Sequence, residues 1–283
     1  MLTSRLTFRF NIVQGSVYND TIRLGTGTAT IELIDGGAGT DSIKGTTTDD
    51  VIDLTGISIL NIENIDGAAG NDTIIGSAGG DFITGGVGTD SLFEGEGADT
   101  FSVVGDGDLD TIDGGTGYDK LQGSTFNDAF RVINGLANWI NLEAVDGGAG
   151  TDDKVVATSG ADTLDFSALL LTGIEKIDLS GGNDRVKGSG GNDTFIGGGG
   201  ADTFVFGLSF GKDVILDFQA TGPGHDVLEF STTVFANWAA LEASITDSAA
   251  GAVITLNASN TITLNGLTKS TLVANHADDF RFV

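Results

Sequence analysis

Apolar residues recur in this chain at a spacing of nine, against a background of glycine, aspartate and threonine. The clearest run is Ile74, Ile83, Leu92 and Phe101, each placed two residues after an aspartate. Each apolar residue sits in a three-residue stretch suited to a short strand, and the six residues before it hold glycines that allow a tight turn. Because successive strand residues point to opposite faces, one apolar side chain per repeat faces inward. A fixed period of this kind predicts a solenoid with two repeats in each coil.

We number the positions of a repeat one to nine, with aspartate at position six and the inward residue at position eight. Repeats in this frame begin at residues 15, 27, 36, 45, 58, 67, 76, 85, 94, 105, 114, 123, 138, 147, 157, 170, 179, 188 and 197. We expect the insertions between them to bulge out as loops, at 24–26, 54–57, 103–104, 132–137 and 166–169. In the repeat from Gly147, Lys154 falls in the inward position, and we expect a one-residue shift that brings Val155 there.

Four of these repeats are degenerate, because glutamate replaces the aspartate and the glycines of the turn are mostly missing. They carry Glu32 with inward Ile34, Glu63 with Ile65, Glu143 with Val145, and Glu175 with Ile177. A turn without glycine leaves no room for backbone carbonyls to gather around an ion. We expect these repeats to be structural coils that bind no ion, with glutamates that are solvated or accept local hydrogen bonds.

Stacked coils bring each aspartate turn next to the turn two repeats along the chain. Carboxylates and glycine carbonyls then surround a gap with oxygen atoms, the ligands that Ca²⁺ prefers. Without a cation, the stacked aspartates would repel one another. We expect ion sites to join Asp72 with Asp90, Asp90 with Asp110, Asp81 with Asp99, and Asp99 with Asp119.

The candidate calcium ligands are the aspartates of the glycine-rich repeats and the glycines around them, and we expect about six to eight ions. The aspartates are Asp41, Asp72, Asp81, Asp90, Asp99, Asp110, Asp119, Asp128, Asp184, Asp193 and Asp202. The glycines are Gly67, Gly76, Gly85, Gly86, Gly88, Gly95, Gly97, Gly114, Gly115, Gly117, Gly181, Gly197, Gly198 and Gly200. The turns before Asp50 and Asp128 are bulkier, so an ion site and a simple turn both stay open for them.

The repeats resemble the GGxGxDxUx nonapeptides of RTX proteins, most clearly in the unbroken run over residues 67–102. This resemblance implies an all-β fold, a right-handed parallel β-roll with calcium between successive turns, and export by a type I secretion apparatus. Residues 198–283 are similar to the C-terminal region of serralysin-type proteases and other type I substrates, including the ending from Ala277 to Val283. The implied location is outside the cell or on its surface.

We expect the β-roll to occupy residues 15–206 and to carry a cap at each end. Residues 1–14 alternate apolar and polar side chains, which predicts an N-terminal capping strand. Residues 207–283 predict a β-rich C-terminal cap that includes the secretion signal region. Its expected elements are strands at 213–218 and 226–230, one short helix near 237–245, and a final hairpin of 253–256 with 261–264.

Charge and composition exclude several classes of protein. The chain has 13 basic and 40 acidic residues, a net charge of -27, so its surface repels nucleic acid and anionic membranes. Such a charge opposes compaction, and divalent cations would offset it. No stretch is apolar enough to span a bilayer. There is no cysteine, which leaves ions rather than disulfides to stabilise an extracellular fold. The apolar content of 40% and the strict period argue against disorder.

We expect no catalytic site. Residues 207–211 match the GxSxG pattern around Ser209, but a nucleophile elbow needs a helix after the serine, and the alternation from Lys212 to Phe218 predicts a strand. His225 lies in a turn sequence and is expected to be a solvated turn residue. The leading hypothesis is therefore a secreted calcium-binding module for stability or interaction, such as adhesion or matrix assembly, with an unknown extracellular partner. The alternative is the C-terminal part of a larger secreted enzyme, such as a protease, lipase or epimerase.

Overall fold

The structure is a computed structural model that describes residues 11–24, 31–102 and 108–283, apart from the side chains of residues 276 and 277. The chain divides into two compact units, an N-terminal unit of residues 1–120 and a C-terminal unit of residues 121–283. In the described part of the chain, no helix is both long enough and apolar enough to cross a membrane.

The N-terminal unit consists of short strands joined by tight turns. The strands are β1 (Ile12–Gln14), β2 (Thr21–Ile22), β3 (Leu33–Asp35), β4 (Ser42–Lys44), β5 (Val51–Asp53), β6 (Ser58–Leu60), β7 (Asn64–Ala69), β8 (Thr73–Ile75), β9 (Phe82–Val87), β10 (Ser91–Phe93), β11 (Glu96–Gly97), β12 (Thr100–Ser102), β13 (Thr111–Asp113) and β14 (Thr116–Gly117). Of the predicted N-terminal capping strand, residues 1–10 lie outside the described residues, as do the predicted insertions at 25–26 and 103–104. The described part, β1, pairs in parallel with β3.

Strands of the N-terminal unit pair in parallel with the strand two repeats away. One sheet has the order β2-β4-β7-β9-β12, a second β5-β8-β10-β13 and a third β1-β3-β6. The pairing aligns the inward residues, so that Ile43 is opposite Ile65, Ile65 opposite Ile83, and Ile83 opposite Phe101. All four are at most 1% exposed. The nine-residue apolar spacing is thus the core column of a parallel β-solenoid, as predicted.

The degenerate repeat from Ser58 changes which strands pair. β5 pairs forward with β8, whereas β6 pairs backward with β3. The insertion at 54–57 links these two strands, so this coil contains one strand more than its neighbours. The inward residues Ile34 and Ile65 of the degenerate repeats are buried as predicted.

The C-terminal unit continues the same architecture after β15 (Lys120–Gln122). Its strands are β16 (Ala129–Arg131), β17 (Trp139–Ile140), β18 (Ala144–Asp146), β19 (Lys154–Val156), β20 (Thr163–Asp165), β21 (Leu170–Thr172), β22 (Lys176–Asp178), β23 (Arg185–Lys187), β24 (Thr194–Ile196), β25 (Thr203–Phe206), β26 (Lys212–Ile215), β27 (Val227–Phe230), β28 (Ile245–Asp247), β29 (Gly251–Asn257), β30 (Asn260–Asn265) and β31 (Phe280–Phe282). A short 3-10 turn covers Asn134–Leu136, and the helices are α1 (Trp238–Glu242) and α2 (Lys269–Asp279).

Parallel pairing continues past residue 206, where the sequence predicted the β-roll to end. One sheet has the order β16-β19-β22-β24-β26-β30-β29-β28 and a second has the order β20-β23-β25-β27-β31, while β18 and β21 pair in parallel in a third. Only β28, β29 and β30 pair antiparallel among these strands, and they include the predicted final hairpin. Val155 is fully buried, which confirms the predicted one-residue shift.

The short helix predicted near 237–245 is confirmed as α1, but the prediction of a single helix in the C-terminal cap is wrong, because the cap also contains α2. The signal for α2 was weak, since Leu272 is its one fully buried apolar residue among the described side chains and no regular apolar stripe marks the helix. Its local start signal is Thr268, whose side chain accepts a hydrogen bond from the backbone N–H of Thr271. The helix delivers the chain into β31, which pairs in parallel with β27.

Candidate metal centres

At many aspartate positions the backbone N–H donates a hydrogen bond to the carboxylate two repeats later, and we call these rows the aspartate ladder. In the N-terminal unit the donor and acceptor pairs are Asp20–Asp41 (2.7 Å), Asp50–Asp72 (2.8 Å), Asp72–Asp90 (2.7 Å), Asp90–Asp110 (2.8 Å), Asp81–Asp99 (2.8 Å) and Asp99–Asp119 (2.9 Å). In the C-terminal unit they are Asp128–Asp153 (2.6 Å), Asp162–Asp184 (2.7 Å), Asp184–Asp202 (2.9 Å), Asp202–Asp226 (2.9 Å) and Asp193–Asp213 (3.0 Å). The four stacking contacts predicted from the sequence are therefore present.

Each ladder bond uses one carboxylate oxygen, and in many of these aspartates the other oxygen is buried without a hydrogen-bond donor among the described residues. We call them open aspartates: Asp41, Asp72, Asp99, Asp153, Asp184, Asp202 and Asp213. Burying an ionised oxygen without a partner is costly unless a cation compensates for the lost hydration. A row of hard, anionic oxygen atoms with no donors is a ligand set that fits calcium.

Other aspartates are closed by their own repeat, because a serine or threonine at position two bonds to Oδ2. The closed aspartates are Asp20 with Ser16, Asp50 with Thr46, Asp81 with Ser77, Asp128 with Ser124, Asp162 with Thr158, and Asp193 with Ser189. Asp162, for example, accepts from the N–H and the hydroxyl of Thr158 at 3.0 and 2.7 Å. Asp184 stays open although Ser180 is at position two, since that hydroxyl donates to the Ala157 carbonyl instead.

The candidate aspartates thus fall into separate groups. Asp41, Asp72, Asp99, Asp184 and Asp202 are open, whereas Asp81, Asp128 and Asp193 are closed. Asp90, Asp110 and Asp119 are buried members of the same ladder rows. The structure brings all of these residues to the stacked turns, in the rows that the repeat frame predicts.

Glycine at position four is required by the close stacking of the turns. A Cβ atom on Gly117 would lie 1.4 Å from the carbonyl oxygen of Gly97, and one on Gly200 would lie 1.4 Å from that of Gly182. These two glycines also have φ values of 151° and 132°, which other residues rarely adopt. The candidate glycines all lie in turns next to the ladder: Gly67, Gly76, Gly85, Gly114 and Gly197 at position one, Gly86, Gly95, Gly115 and Gly198 at position two, Gly181 at position three, and Gly88, Gly97, Gly117 and Gly200 at position four.

Burial and neighbouring carboxylates raise the pKa values of the ladder. Burial raises the pKa of Asp99 to about 6, and the charges of Asp119 and Asp81 add to this effect. The pKa of Asp184 is raised to about 6 by burial, with Asp202 and Asp162 contributing. Burial raises the pKa of Asp213 to about 8. Without a cation, the fold therefore disfavours the ionised form of these groups.

This electrostatic arrangement predicts that the calcium-free chain gains stability in acid. The raised pKa of Asp99 and Asp184 means that the folded state binds more protons than the unfolded state between pH 3.8, their ordinary pKa, and about 6. The stabilisation is complete below that window and is lost as the pH rises through it. Spectra and thermal melts followed by circular dichroism in calcium-free buffer should show more β-sheet signal at pH 4 than at pH 7.5, where the calcium-free chain is expected to be largely unfolded.

The matching control is the same pair of melts in saturating calcium. Protons then compete with the ion for the carboxylates, so acid should lower the melting temperature. A calcium-free chain that is less stable at pH 4 than at pH 7.5 would contradict the assignment of buried, ion-free carboxylates.

Sequence reasoning missed five ladder members as candidate ligands, namely Asp20, Asp153, Asp162, Asp213 and Asp226. Asp213 and Asp226 were assigned to cap strands, yet each is followed two residues later by a fully buried residue, Ile215 and Leu228. The nine-residue rule of an aspartate before an inward residue would have found both. Both repeats open with a residue other than glycine, Leu208 and Thr221, and extra residues separate them from the preceding repeats, so the constant interval that identified the other repeats is lost.

The degenerate repeats keep the ladder geometry with a longer side chain. Glu63 accepts from the N–H of Asp41 at 2.6 Å, and Glu175 accepts from the N–H of Asp153 at 2.7 Å. Both glutamates therefore occupy the aspartate position that the frame assigns to them. They act as local hydrogen-bond acceptors, which agrees with the expectation for this pair.

The structure places Ser209 between two strands of the solenoid and His225 in a turn. Lys212–Ile215, directly after Ser209 and Gly211, is the strand β26, as the alternation predicted. His225 is partly exposed, and its Nδ1 lies 3.1 Å from the carbonyl oxygen of Gly222 within one turn. The GxSxG match is therefore part of a solenoid repeat, with Asp213 as its ladder aspartate.

Comparison with known proteins identifies the repeat. The family described as RTX calcium-binding nonapeptide repeat matches in four copies, over residues 26–56, 64–101, 103–128 and 172–208. No curated protein matches the chain. The matched segments carry glycine turns, inward apolar residues and ladder aspartates in both units. The chain thus contains RTX calcium-binding nonapeptide repeats, which form a parallel β-solenoid.

Proposed function

We propose that this protein is a calcium-folded extracellular module, whose solenoid assembles when calcium enters the gaps between stacked turns. The observation that carries the proposal is the set of open aspartates, whose buried Oδ2 atoms have no donor among the described residues. Protein donors satisfy the other oxygen of each ladder contact. A divalent cation would supply the positive charge that compensates each unsatisfied oxygen for its lost hydration.

The open aspartates are the proposed charged ligands. Glycine carbonyls of the neighbouring turns complete the set of oxygen atoms around each ion, and we call each such set a cage. Asp213 extends the proposed sites beyond residue 206, where its carboxylate accepts a ladder bond at 3.0 Å. Asp226 is closed, because the Gln219 N–H donates to its Oδ2 at 2.8 Å. Closed aspartates contribute less, because one of their oxygens is already engaged by a hydrogen-bond donor. The cation count is set by the open positions rather than by the number of repeats.

Each cage exists only after two turns have stacked, so binding and folding are coupled. A ligand that binds the folded state alone stabilises it in proportion to the logarithm of its concentration. Calcium also offsets part of the net charge of -27, which otherwise opposes compaction. The chain is therefore unfolded at low calcium and folded at high calcium.

This switch suits a chain that is exported unfolded and folds outside the cell. Cytosolic free calcium is far below the roughly 10⁻⁴ to 10⁻³ M affinity of extracellular calcium modules. We propose export by a type I secretion apparatus on this basis and on the RTX repeats. The folded solenoid then serves stability or interaction, such as adhesion or matrix assembly, rather than catalysis.

The test compares two buried aspartates of one ladder row, Asp184 and Asp162. Asp184→Asn removes the charge of an open aspartate, whereas Asp162→Asn changes one that Thr158 closes. Calcium titrations followed by far-ultraviolet circular dichroism should give a wild-type folding midpoint of about 10⁻⁴ to 10⁻³ M. Asp184→Asn should raise the midpoint by about tenfold, because ligand charge sets calcium affinity.

Asp162→Asn is the matched control, since it is 3% exposed against 2% for Asp184 and belongs to the same row. Its midpoint should move much less. Folding that does not depend on calcium would refute the proposed function. Equal midpoints for the two variants would refute the assignment of open aspartates as the principal ligands.

A further inference from the structure

One repeat carries a charged residue where its neighbours have glycine. Glu94 occupies position one of the repeat 94–102, the position held by Gly76 and Gly85 in the two preceding repeats. It is only 8% exposed, and both of its carboxylate oxygens lack a hydrogen-bond partner in the described part of the chain. A doubly unsatisfied, buried carboxylate needs a compensating group.

The Glu94 carboxylate lies over the turn of the repeat two positions earlier. A Cβ atom on Gly76 would lie 1.7 Å from Oε2 of Glu94, so only glycine at position 76 leaves room for it. This places the carboxylate at the edge of a ladder contact, the one in which the Asp81 N–H donates to Asp99 at 2.8 Å.

Three carboxylates meet at this point. Ligand oxygens of Asp81, Glu94 and Asp99 all lie within 4.8 Å of one another. Calcium–oxygen distances are about 2.3–2.6 Å, so two oxygens bound to one ion are separated by at most about 5 Å. The three oxygens are therefore close enough to share a single cation.

The aspartates in this cluster are held in place by the protein. The N–H and hydroxyl of Ser77 donate to Oδ2 of Asp81 at 2.9 and 2.8 Å. Asp99 accepts the ladder bond through Oδ1 and keeps its Oδ2 without a donor. Asp81 is thus closed at Oδ2, and Glu94 adds a third carboxylate beside the ladder contact of Asp81 with Asp99.

We propose that Asp81, Glu94 and Asp99 form a three-carboxylate cation site that fills before the other cages and orders the coils around it. The proposal rests on the proposed function in taking calcium as the ion. Affinity for calcium rises with the number of charged ligands, and this site has three where the repeat pattern provides two aspartates. Because a bound ion stacks two turns, the first site filled is where the solenoid of the N-terminal unit begins to form.

Isothermal titration of the full-length chain with calcium tests this site through Glu94→Gln. Wild-type protein should show one binding event about tenfold or more tighter than the rest, and Glu94→Gln should lose it. Glu96→Gln is the matched control, because Glu96 is exposed in the same turn. Glu94→Gly is a second variant that restores the usual residue of position one, and it should also lose the tight event.

A measurement on the unaltered chain makes the test independent of how the variants fold. Crystals grown with one equivalent of Tb³⁺ should show its anomalous peak between Asp81, Glu94 and Asp99. A first ion located elsewhere, or a tight event retained in Glu94→Gln, would overturn the proposal. Wild-type protein that binds calcium as the variants do refutes this site alone, whereas wild-type protein that binds no calcium refutes the proposed function as well.

Discussion

Removing calcium with excess chelator at pH 7.5 is expected to abolish most of the β-sheet circular dichroism of the chain. The open aspartates bury ionised oxygens without donors, and the whole chain carries a net charge of -27. Each independent site held at a tenfold excess over its dissociation constant stabilises the folded state by about 1.4 kcal/mol. The stabilisation from several such sites together is comparable with the whole stability of an ordinary domain, about 5–15 kcal/mol. Far-ultraviolet spectra and thermal melts with and without millimolar calcium measure the effect.

Magnesium at the same concentration is the control for simple charge screening. Mg²⁺ is smaller and gives up its water reluctantly, so it should restore little of the β signal. The same spectrum and melting temperature in chelator as in calcium would show that the carboxylate rows are stable without ions. Equal recovery with magnesium would show that screening, rather than coordination between turns, drives folding.

Replacing Phe230 with alanine is expected to cost about 3–5 kcal/mol of unfolding free energy in saturating calcium. Phe230 is fully buried in β27, and its ring centroid lies 5.6 Å from Phe206, 5.2 Å from Phe235 and 6.4 Å from Phe282. Removing its ring leaves a cavity between the rings of Phe206, Phe235 and Phe282 in the C-terminal unit. Denaturant unfolding at constant calcium measures the loss.

Phe126→Ala is the same chemical change at a position that is 77% exposed in the same compact unit. It should alter the unfolding free energy by less than about 0.5 kcal/mol, as surface substitutions generally do. Comparable losses for the two variants would mean that the aromatic cluster around Phe230 does not stabilise the C-terminal unit.

The repeat frame was accessible from sequence because its signals are local. The aspartate and the inward residue are two positions apart. The aspartate ends the turn, and the inward residue lies in the short strand that follows it. A constant period then places equivalent residues of successive coils in contact, which is why the pairing of Asp72 with Asp90 and of Asp81 with Asp99 followed from counting alone. The same counting placed Val155 inward despite the extra residue in its repeat.

Prediction failed where the repeat loses its constant interval and its opening glycine. The repeats that carry Asp213 and Asp226 begin at Leu208 and Thr221 after extra residues, and they were assigned to a cap although their strands pair in parallel with the solenoid. Helix α2 was missed because its apolar residues do not recur at helical spacing. Such a helix is stabilised by its packing in the fold, which the sequence pattern does not reveal. Its ending in β31 is stabilised by Glu229, which accepts from Arg281 as well as from Arg185.

The sequence by itself determined the parallel coil, the inward apolar column and the rows of stacked carboxylates, because each follows from a short motif repeated at a constant interval. Only the tertiary structure decided which carboxylate oxygens are left without donors. That depends on whether the residue at position two bonds within its repeat, as Thr158 does, or to another coil, as Ser180 does. The tertiary structure also placed the Glu94 carboxylate beside Asp81 and Asp99. The direction of that side chain is set by the coils packed around it and not by its position in the repeat.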